Sequence, residues 1–307
     1  MKKTKIVIPA LGLLLLSTAA SVSGTVAWFS ANTSVKVNGM AVTTKVSGNL
    51  LIASANTNDD LYAAADLEQA VTGILEPVST IDAVDFYYTK DDVKGSGAAT
   101  AAESEFVHYD PTAAASTAGQ AAGYSKAFDE YYEIAGAVGY VDYVFYLKAT
   151  SSAANQKVIL STVNLTYNNL ALANGEKAWR TAVFCEAVNQ GAAGNDAAVG
   201  TNKTILALNG ATNFTSGKAV DNIDASNHAV LGSVINPGVG AELGTLATAG
   251  LTQRYKVIVR LWLEGEDNTC NNETFATLTL QYKLNLAVKL VDSGNTEAVT
   301  EIGSVAL

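Results

Sequence analysis

The sequence is short of the side chains on which most enzymes depend. Its 307 residues include only two histidines, His108 and His228, and two cysteines, Cys185 and Cys270. Neither histidine lies in an HExxH pattern, no Gly-x-Ser-x-Gly nucleophile elbow occurs, and no histidine is close in sequence to Cys185. We therefore expect no catalytic residues and no enzymatic activity.

Charge and proline are also scarce. Charged residues make up 16% of the chain, the formal net charge is −10, and there are four prolines. An acidic surface repels phosphate backbones and anionic lipid headgroups, which argues against a nucleic-acid partner. With 49% hydrophobic residues, the chain is expected to be a globular protein and not a disordered linker.

With two cysteines, one disulfide is the most that the chain can form. In an oxidising compartment Cys185 and Cys270 are expected to pair, and closing that loop would stabilise the fold by about 4 kcal/mol. Two buried free thiols are the alternative, and the spacing does not decide between them. A metal site built from two isolated cysteines is not expected.

One long apolar run is present, and it lies at the start of the chain. Lys2, Lys3 and Lys5 precede an uncharged stretch over residues 6–29, which is typical of an export signal. Ala19-Ala20 or Thr25-Val26-Ala27 could end at a peptidase site, and cleavage is expected between Ala27 and Trp28. The run is also long enough to span a bilayer as an uncleaved helical anchor, and both alternatives place the remaining chain outside the cell or at its surface. Membrane contact is expected only through this segment.

Alternation of apolar and polar residues with period two dominates the rest of the sequence. Residues 254–263 and 274–290 predict two half-buried strands, which we expect to form a hairpin-like pair across the polar stretch 264–268. The same pattern predicts strands at 140–148 and 158–167 and, with a break at Asn38-Gly39, within 35–52. Shorter candidates are 81–89, 179–188 and 204–208. Many strands separated by Asn, Gly and Ser turns predict an antiparallel β-sandwich.

Two regions depart from this pattern. Residues 58–71 predict a helix capped by Asn58-Asp59-Asp60, and residues 125–133 predict a second short helix. We expect an N-terminal segment at 1–29 and one sandwich domain at 30–307. Its helical and loop insertions are predicted at about 53–135 and 190–250.

Three short stretches resemble segments of a known family. They are Gly24-Thr25-Val26-Ala27-Trp28-Phe29, the run 179–184 (WRTAVF) and the run 257–267 (VIVRLWLEGED). They are similar to the TasA/camelysin group of exported fibre proteins of Gram-positive bacteria. The resemblance implies a jelly-roll-like sandwich whose subunits join into extracellular filaments, usually in a biofilm matrix. Camelysins have been described as metalloproteases, but this chain lacks their zinc signature.

An extended segment near the mature N-terminus could join such subunits. Val35, Val37, Met40 and Val42 are candidate donor-strand residues, which would pair with the open sheet edge of the next copy. Repeated head to tail, this contact makes a fibre, so the main expected partner is the chain itself, with matrix or cell-surface components as further partners. The alternative is that residues 35–52 begin the sheet of their own subunit.

An acidic turn and an aromatic group are the remaining candidate sites. Glu264, Glu266 and Asp267 offer oxygen ligands that calcium prefers, although solvated turn residues, or pairing of Arg260 with Glu264 around Trp262, would explain them equally well. No other cofactor is expected. The aromatic residues could line a sugar-binding face or pack in the core, and they are Phe86, Tyr87, Tyr88, Tyr131 and Tyr132.

The pattern as a whole favours a secreted structural subunit that polymerises into surface or matrix filaments. A membrane-anchored adhesin or carbohydrate-binding protein is the second hypothesis, and an extracellular hydrolase is a weaker third.

Overall fold

A computed structural model describes most of the predicted sandwich. The described residues are 35–47, 49–64, 66–75, 77–89, 106–109, 137–167, 170–171, 177–194, 202–208, 219–226, 228–238, 242–267, 270 and 282–294. The predicted signal with Ala27 and Trp28, the helix at 125–133 and the tyrosines within it lie outside these residues. Among the residues that are described, no helix has the length and apolarity needed to cross a membrane.

The described chain is mainly β, with sixteen strands and no α-helix. The strands are β1 Val35–Ser47, β2 Leu50–Ala53, β3 Leu67–Leu75, β4 Phe86–Thr89, β5 Phe106–Tyr109, β6 Ala137–Val138, β7 Tyr140–Thr150, β8 Gln156–Tyr167, β9 Leu170–Ala171, β10 Trp179–Val188, β11 Asn202–Ala207, β12 Ala219–Ile223, β13 Ala229–Gly232, β14 Glu242–Leu246, β15 Thr252–Leu263 and β16 Tyr282–Val291.

Two sheets form the sandwich. Sheet A has the order β14-β8-β16-β1-β3-β6, with β9 added beside β8, and sheet B has the order β11-β10-β15-β7-β2. Every pairing in sheet B is antiparallel, whereas sheet A contains two parallel pairs, β1 with β16 and β3 with β6. The antiparallel β-sandwich predicted from the alternation is thus confirmed in its coarse architecture.

The main core lies between the two sheets. Alternate residues of β15 from Tyr255 to Leu263 point into it from sheet B, and Leu284, Leu286 and Val288 of β16 join from sheet A. All of these side chains are buried. The period-two pattern that predicted the strands therefore marks the face on which each strand meets the opposite sheet.

A third layer covers the other face of sheet B. Phe86 and Tyr88 of β4 and Tyr109 of β5 pack with Phe184 of β10 and Trp262 of β15 in a second apolar cluster. This layer covers Ile258, Arg260 and Trp262 of β15, and Arg260 is only 5% exposed. Residues 254–263 are therefore a strand, as predicted, and from Tyr255 onward they are buried on both faces instead of on one.

Two predictions about local structure are also wrong. Residues 58–71 form a 3-10 turn, Asp59–Leu61, followed by strand β3 instead of a helix. The strands predicted as a hairpin, β15 and β16, belong to different sheets. The helix prediction failed because β3 pairs along β1, and that pairing outweighs the helix propensity of an Ala- and Leu-rich run. The hairpin prediction failed because the polar stretch after β15 is buried against the start of β10.

The ranges predicted as insertions belong partly to the sandwich itself. Within 53–135 the chain supplies β3 to sheet A, and within 190–250 it supplies β11 to sheet B and β14 to sheet A. These strands are short, or their apolar and polar residues do not alternate clearly, so the period-two pattern does not identify them. Only pairing with distant strands reveals their place.

Candidate functional site

The first strand of the chain occupies the interior of sheet A. Strand β1 lies between β3, which it pairs antiparallel, and β16, which it pairs parallel. In this single chain the candidate donor residues Val35, Val37, Met40 and Val42 thus belong to a strand of their own subunit's sheet, which is the alternative stated above. A terminal strand inside a sheet is also the kind of element that identical subunits exchange.

Strand β1 changes character at Asn38-Gly39. The register with β3 shifts between Val37 and Met40, which marks a β-bulge at the predicted break. Residues 41–47 pair with residues 283–289 of β16, while residues 35–37 pair with residues 73–75 of β3. Among the described strands, no other strand borders residues 35–37. Within the described strands, residues 35–37 thus pair on one side and residues 41–44 on both.

Thr44 ties the second part of β1 to the opposite sheet. Its side chain is fully buried, and its hydroxyl donates to the hydroxyl of Tyr143 in β7 at 3.4 Å. Burial raises the pKa of Tyr143, and the hydrogen bond to Thr44 opposes that shift. A buried polar pair of this kind favours the one register in which both hydroxyl groups find a partner.

The outer edge of sheet A beside β3 is only partly covered. Strand β6 pairs with Ile74 and Leu75, and within the described chain no strand pairs with residues 67–73 on that side. Exposed backbone N–H and C=O groups at a sheet edge accept an added strand from another chain. In sheet B the edge strands β2 and β11 are each bridged at a single residue, by Ala63 and Pro237.

The acidic turn predicted as a calcium site is buried. Glu264 is 1% exposed, and its carboxylate accepts hydrogen bonds from the indole of Trp262 at 3.3 Å and from the backbone N–H groups of Thr80 and Glu266. Burial raises the pKa of Glu264, while Arg180 and the hydrogen-bond donors oppose the shift. The carboxylate is engaged in joining three segments of the fold.

Asp267 forms a buried ion pair with Arg180. The two side chains are 2.7 Å apart and almost fully excluded from solvent, and Arg180 also donates to the carbonyls of Lys177 and Trp179. Within the part of the chain that the structure describes, no group of acidic, histidine or cysteine side chains has a metal-binding arrangement. The turn is explained by structural contacts, and calcium binding stays a prediction.

The predicted pairing of Arg260 with Glu264 is wrong, because Arg260 pairs with Asp142 instead. Its guanidinium binds both carboxylate oxygens of Asp142 at 2.8 Å and lies 3.7 Å from the ring centroid of Tyr140. It also donates to the carbonyl of Ala83 in the third layer at 3.0 Å. Arg260 therefore connects sheet B to the layer that covers it, combining an ion pair with a cation–π contact.

The expected disulfide is not formed. Cys185 and Cys270 are both free and buried. The backbone N–H of Glu264, at the start of the acidic turn, donates to the carbonyl of Ala178. The backbone N–H of Cys270 donates to the carbonyl of Asp267, so Cys270 lies at the end of the same turn. Cys185 lies seven residues along β10 from Ala178, or about 23 Å at the rise of a strand. A disulfide needs Cα atoms within about 7 Å, and the position of Cys185 along β10, away from the turn that precedes Cys270, fits two free thiols.

Both thiols are expected to resist modification in the folded protein. Burial raises the pKa of each thiol well above its ordinary value, and the thiolate is the reactive form. Ellman's reagent at pH 8 should label neither cysteine in native protein and both in 6 M guanidinium. Equal labelling before and after reduction checks that no bond was present. A mass 2 Da lower in the non-reduced protein would contradict the two free thiols.

Among the described residues, the aromatic candidates and the histidines do not form a binding face. Phe86, Tyr87 and Tyr88 are buried, which places them in the core and not on a sugar-binding surface. His108 of β5 is exposed beside Asp85 at 3.2 Å, and His228 lies 3.6 Å from Asp224 in the turn before β13. The two histidines therefore lie in separate parts of the fold.

The sequence predicted a strand at β1 but not the neighbouring edge of β3 or the contact of Thr44 with the opposite sheet. The open edge of β3 could not be predicted because that strand was taken for a helix. Thr44 carried no signal, since a threonine in a strand is more often exposed than bonded across a core. No protein-family model matches this chain, and no curated protein matches it.

Proposed function

We propose that this protein is a secreted structural subunit that polymerises into extracellular surface or matrix filaments through its N-terminal strand. In this proposal residues 1–29 form an apolar helix that directs export, the sandwich is jelly-roll-like, and the chain's principal partner is another copy of itself. The role is mechanical and requires no catalytic site or cofactor.

The observation that carries the proposal is the position of β1. The first described strand, β1, lies inside sheet A between β3 and β16, and it runs parallel to β16. In the proposed mature protein, which begins near Trp28, β1 lies close to the N-terminus and can leave its place without changing the order of the strands that follow it. Its place is then filled by the same strand of a neighbour, and a heterologous contact of this type does not close.

The open edge of β3 supports the same conclusion. Within the described chain no strand pairs with residues 67–73 on the outer side of β3, and pairing there gives main-chain hydrogen bonds to an extended segment. Among the described residues, neither the carbohydrate-binding nor the hydrolase hypothesis has a comparable observation in its favour, because Phe86, Tyr87 and Tyr88 are buried and the two histidines lie in separate parts of the fold.

Deletion of residues 30–38 tests the proposal. The variant retains Ala27-Trp28, the predicted cleavage site, and is expected to be exported but to form no filaments, because it lacks the donated segment. Electron microscopy of cells, sedimentation of the purified protein and mass spectrometry of the mature N-terminus measure assembly and processing. Val230→Ser in β13, an exposed position outside sheet A, should leave filaments unchanged. An intact chain that remains monomeric at high concentration, with no fibres on native cells, would refute the function.

A further inference from the structure

Two cations lie side by side on sheet B near the beginning of β15. Arg254 of β15 and Lys148 of β7 occupy directly opposed positions in the antiparallel register. Like charges in such positions destabilise a sheet. The two side chains are only 15% and 20% exposed, so solvent screens their repulsion less than it does at an open surface. This place in the fold therefore favours an anion beside both cations.

Asp59 supplies that anion from the same chain. Its Oδ1 atom accepts a hydrogen bond from Nη2 of Arg254 and lies 3.1 Å from Nζ of Lys148. The contact with Arg254, and after it the contact with Lys148, holds the pKa of Asp59 below its usual value. The Asp59 side chain is 47% exposed. A carboxylate thus already occupies a position that a solute can approach from the solvent.

The Nε group of Arg254 lacks an acceptor. It is excluded from solvent and has no hydrogen-bond partner among the described residues. By contrast, Arg260 donates through both Nε and Nη2 to the two carboxylate oxygens of Asp142, each at 2.8 Å. Asp59 accepts from Nη2 of Arg254 with the oxygen that it also offers to Lys148. A carboxylate that accepts from Nε and Nη2 together therefore makes a hydrogen bond that Asp59 does not make.

The segment that carries Asp59 is exposed along its whole length. Residues 57–61, here called the arch, are all exposed, whereas Asn56 and Tyr62 at its two ends are 5% and 7% exposed. The hydroxyl of Tyr62 donates to the side-chain oxygen of Asn56 at 2.7 Å, which joins the two ends. Asn56 also donates to two backbone carbonyls of the turn after β10. The Asp59 side chain can therefore leave Arg254 without breaking the contacts that hold the ends of the arch, and exposed ion pairs contribute little to stability.

We propose that Arg254 and Lys148 form a binding site for a ligand carboxylate, and that Asp59 occupies this site until such a ligand displaces it. The ligand binds the Nε and Nη2 edge of Arg254 through both oxygens, as Asp142 binds Arg260. The arch is then a built-in competitor, because the apparent affinity falls with the fraction of molecules in which the site is open. A free organic acid and a carboxylate carried on a polymer offer the same group. The site is independent of filament formation.

Two single substitutions separate displacement from a general effect of charge. Asp59→Ala empties the site, and Asp60→Ala removes the same charge from the next residue of the arch, which is also exposed. Isothermal titration calorimetry of the full chain with succinate at low salt measures binding. If Asp59 fills the site in about nine molecules of ten, Asp59→Ala should bind succinate about tenfold more tightly than the parent chain. Asp60→Ala should bind it as the parent does.

Further variants test the cation and the fold. Arg254→Gln added to Asp59→Ala should abolish the gain, because glutamine has neither the charge nor the planar fork of the guanidinium. Circular dichroism checks that each variant is folded. Asp59→Asn, which keeps the shape of the side chain, provides the same comparison if Asp59→Ala does not fold.

Polygalacturonate, with neutral dextran as its control, distinguishes the source of the carboxylate. Binding of succinate that depends on Arg254 supports a free acid as the ligand, and binding of polygalacturonate alone, with the same dependence, supports a carboxylate carried on a polymer. An equal gain for Asp59→Ala and Asp60→Ala would overturn the proposal, since it would reflect net charge only. Equal affinities of Asp59→Ala, Asp59→Asn and the parent chain would overturn the displacement. Absence of binding of either probe to folded Asp59→Ala or Asp59→Asn would overturn the site itself.

Discussion

Asp267→Ala is expected to lower the free energy of unfolding by about 3–5 kcal/mol, because it leaves the Arg180 guanidinium buried without its partner carboxylate. Arg180 is 1% exposed, so water does not replace the lost ligand. Since small proteins unfold at a cost of about 5–15 kcal/mol, this loss is a large share of the total. Urea denaturation followed by tryptophan fluorescence measures it.

Two comparisons make the Asp267→Ala result specific. Lys157→Ala removes an exposed ion pair with Glu242 and should cost less than about 1 kcal/mol. Replacing both buried partners, as in Arg180→Met with Asp267→Leu, should recover part of the loss, because the Arg180 charge is no longer left without Asp267, while Glu264 loses a neighbouring cation. A loss below about 1 kcal/mol for Asp267→Ala would contradict a buried pair. Thermal stabilisation of the parent chain by calcium, abolished in Asp267→Ala, would instead favour the metal site.

Trp262→Ala is expected to destabilise the protein by about 3–5 kcal/mol, the usual cost of removing a large buried aromatic side chain. The indole packs against the ring of Phe86 with centroids 5.5 Å apart and donates to the carboxylate of Glu264. It thus joins sheet B both to the third layer and to the acidic turn. Its removal opens a cavity and takes a hydrogen-bond donor from a buried acid.

Trp262→Phe separates these two contributions. Phenylalanine retains most of the ring contact but has no N–H group, so the expected loss is about 1–3 kcal/mol, the contribution of one hydrogen bond to a buried carboxylate that keeps its backbone donors. Leu251→Ala, at an exposed position, should change the stability by less than about 0.5 kcal/mol. Urea denaturation compares the three variants. Amide exchange at Ser79 and Tyr87, which bond to each other, should accelerate in Trp262→Ala. Equal losses for Trp262→Phe and Leu251→Ala would contradict the contact with Glu264.

The Arg260 contacts indicate how the third layer is held. A guanidinium bonded to Asp142, stacked on Tyr140 and donating to the carbonyl of Ala83 makes contacts in several directions at once. Lysine has neither the planar fork nor the stacking surface for this arrangement. Polar contacts as well as apolar packing therefore hold the third layer against sheet B. In sheet A, no described strand pairs with residues 67–73 on the outer side of β3.

The sequence by itself determined the class of fold and most of the longer strands. Residues 179–188 are strand β10 with the predicted bounds, and the alternation at 140–148 and 158–167 marks β7 and β8 within a few residues. Period-two alternation is a local property, set by which residues of a strand meet the opposite sheet. The break at Asn38-Gly39 was likewise visible, because this dipeptide is a turn or bulge signal wherever it occurs.

Only the tertiary structure decided partners and burial. Three features depend on residues distant in sequence: β1 lies beside β16, Cys185 and Cys270 are free and buried, and the acidic turn is buried against Arg180. A local sequence pattern does not encode such pairings, because distant segments of the chain decide whether a carboxylate is solvated or buried. The β3 segment is the clearest case, because its composition favours a helix and pairing with β1 makes it a strand.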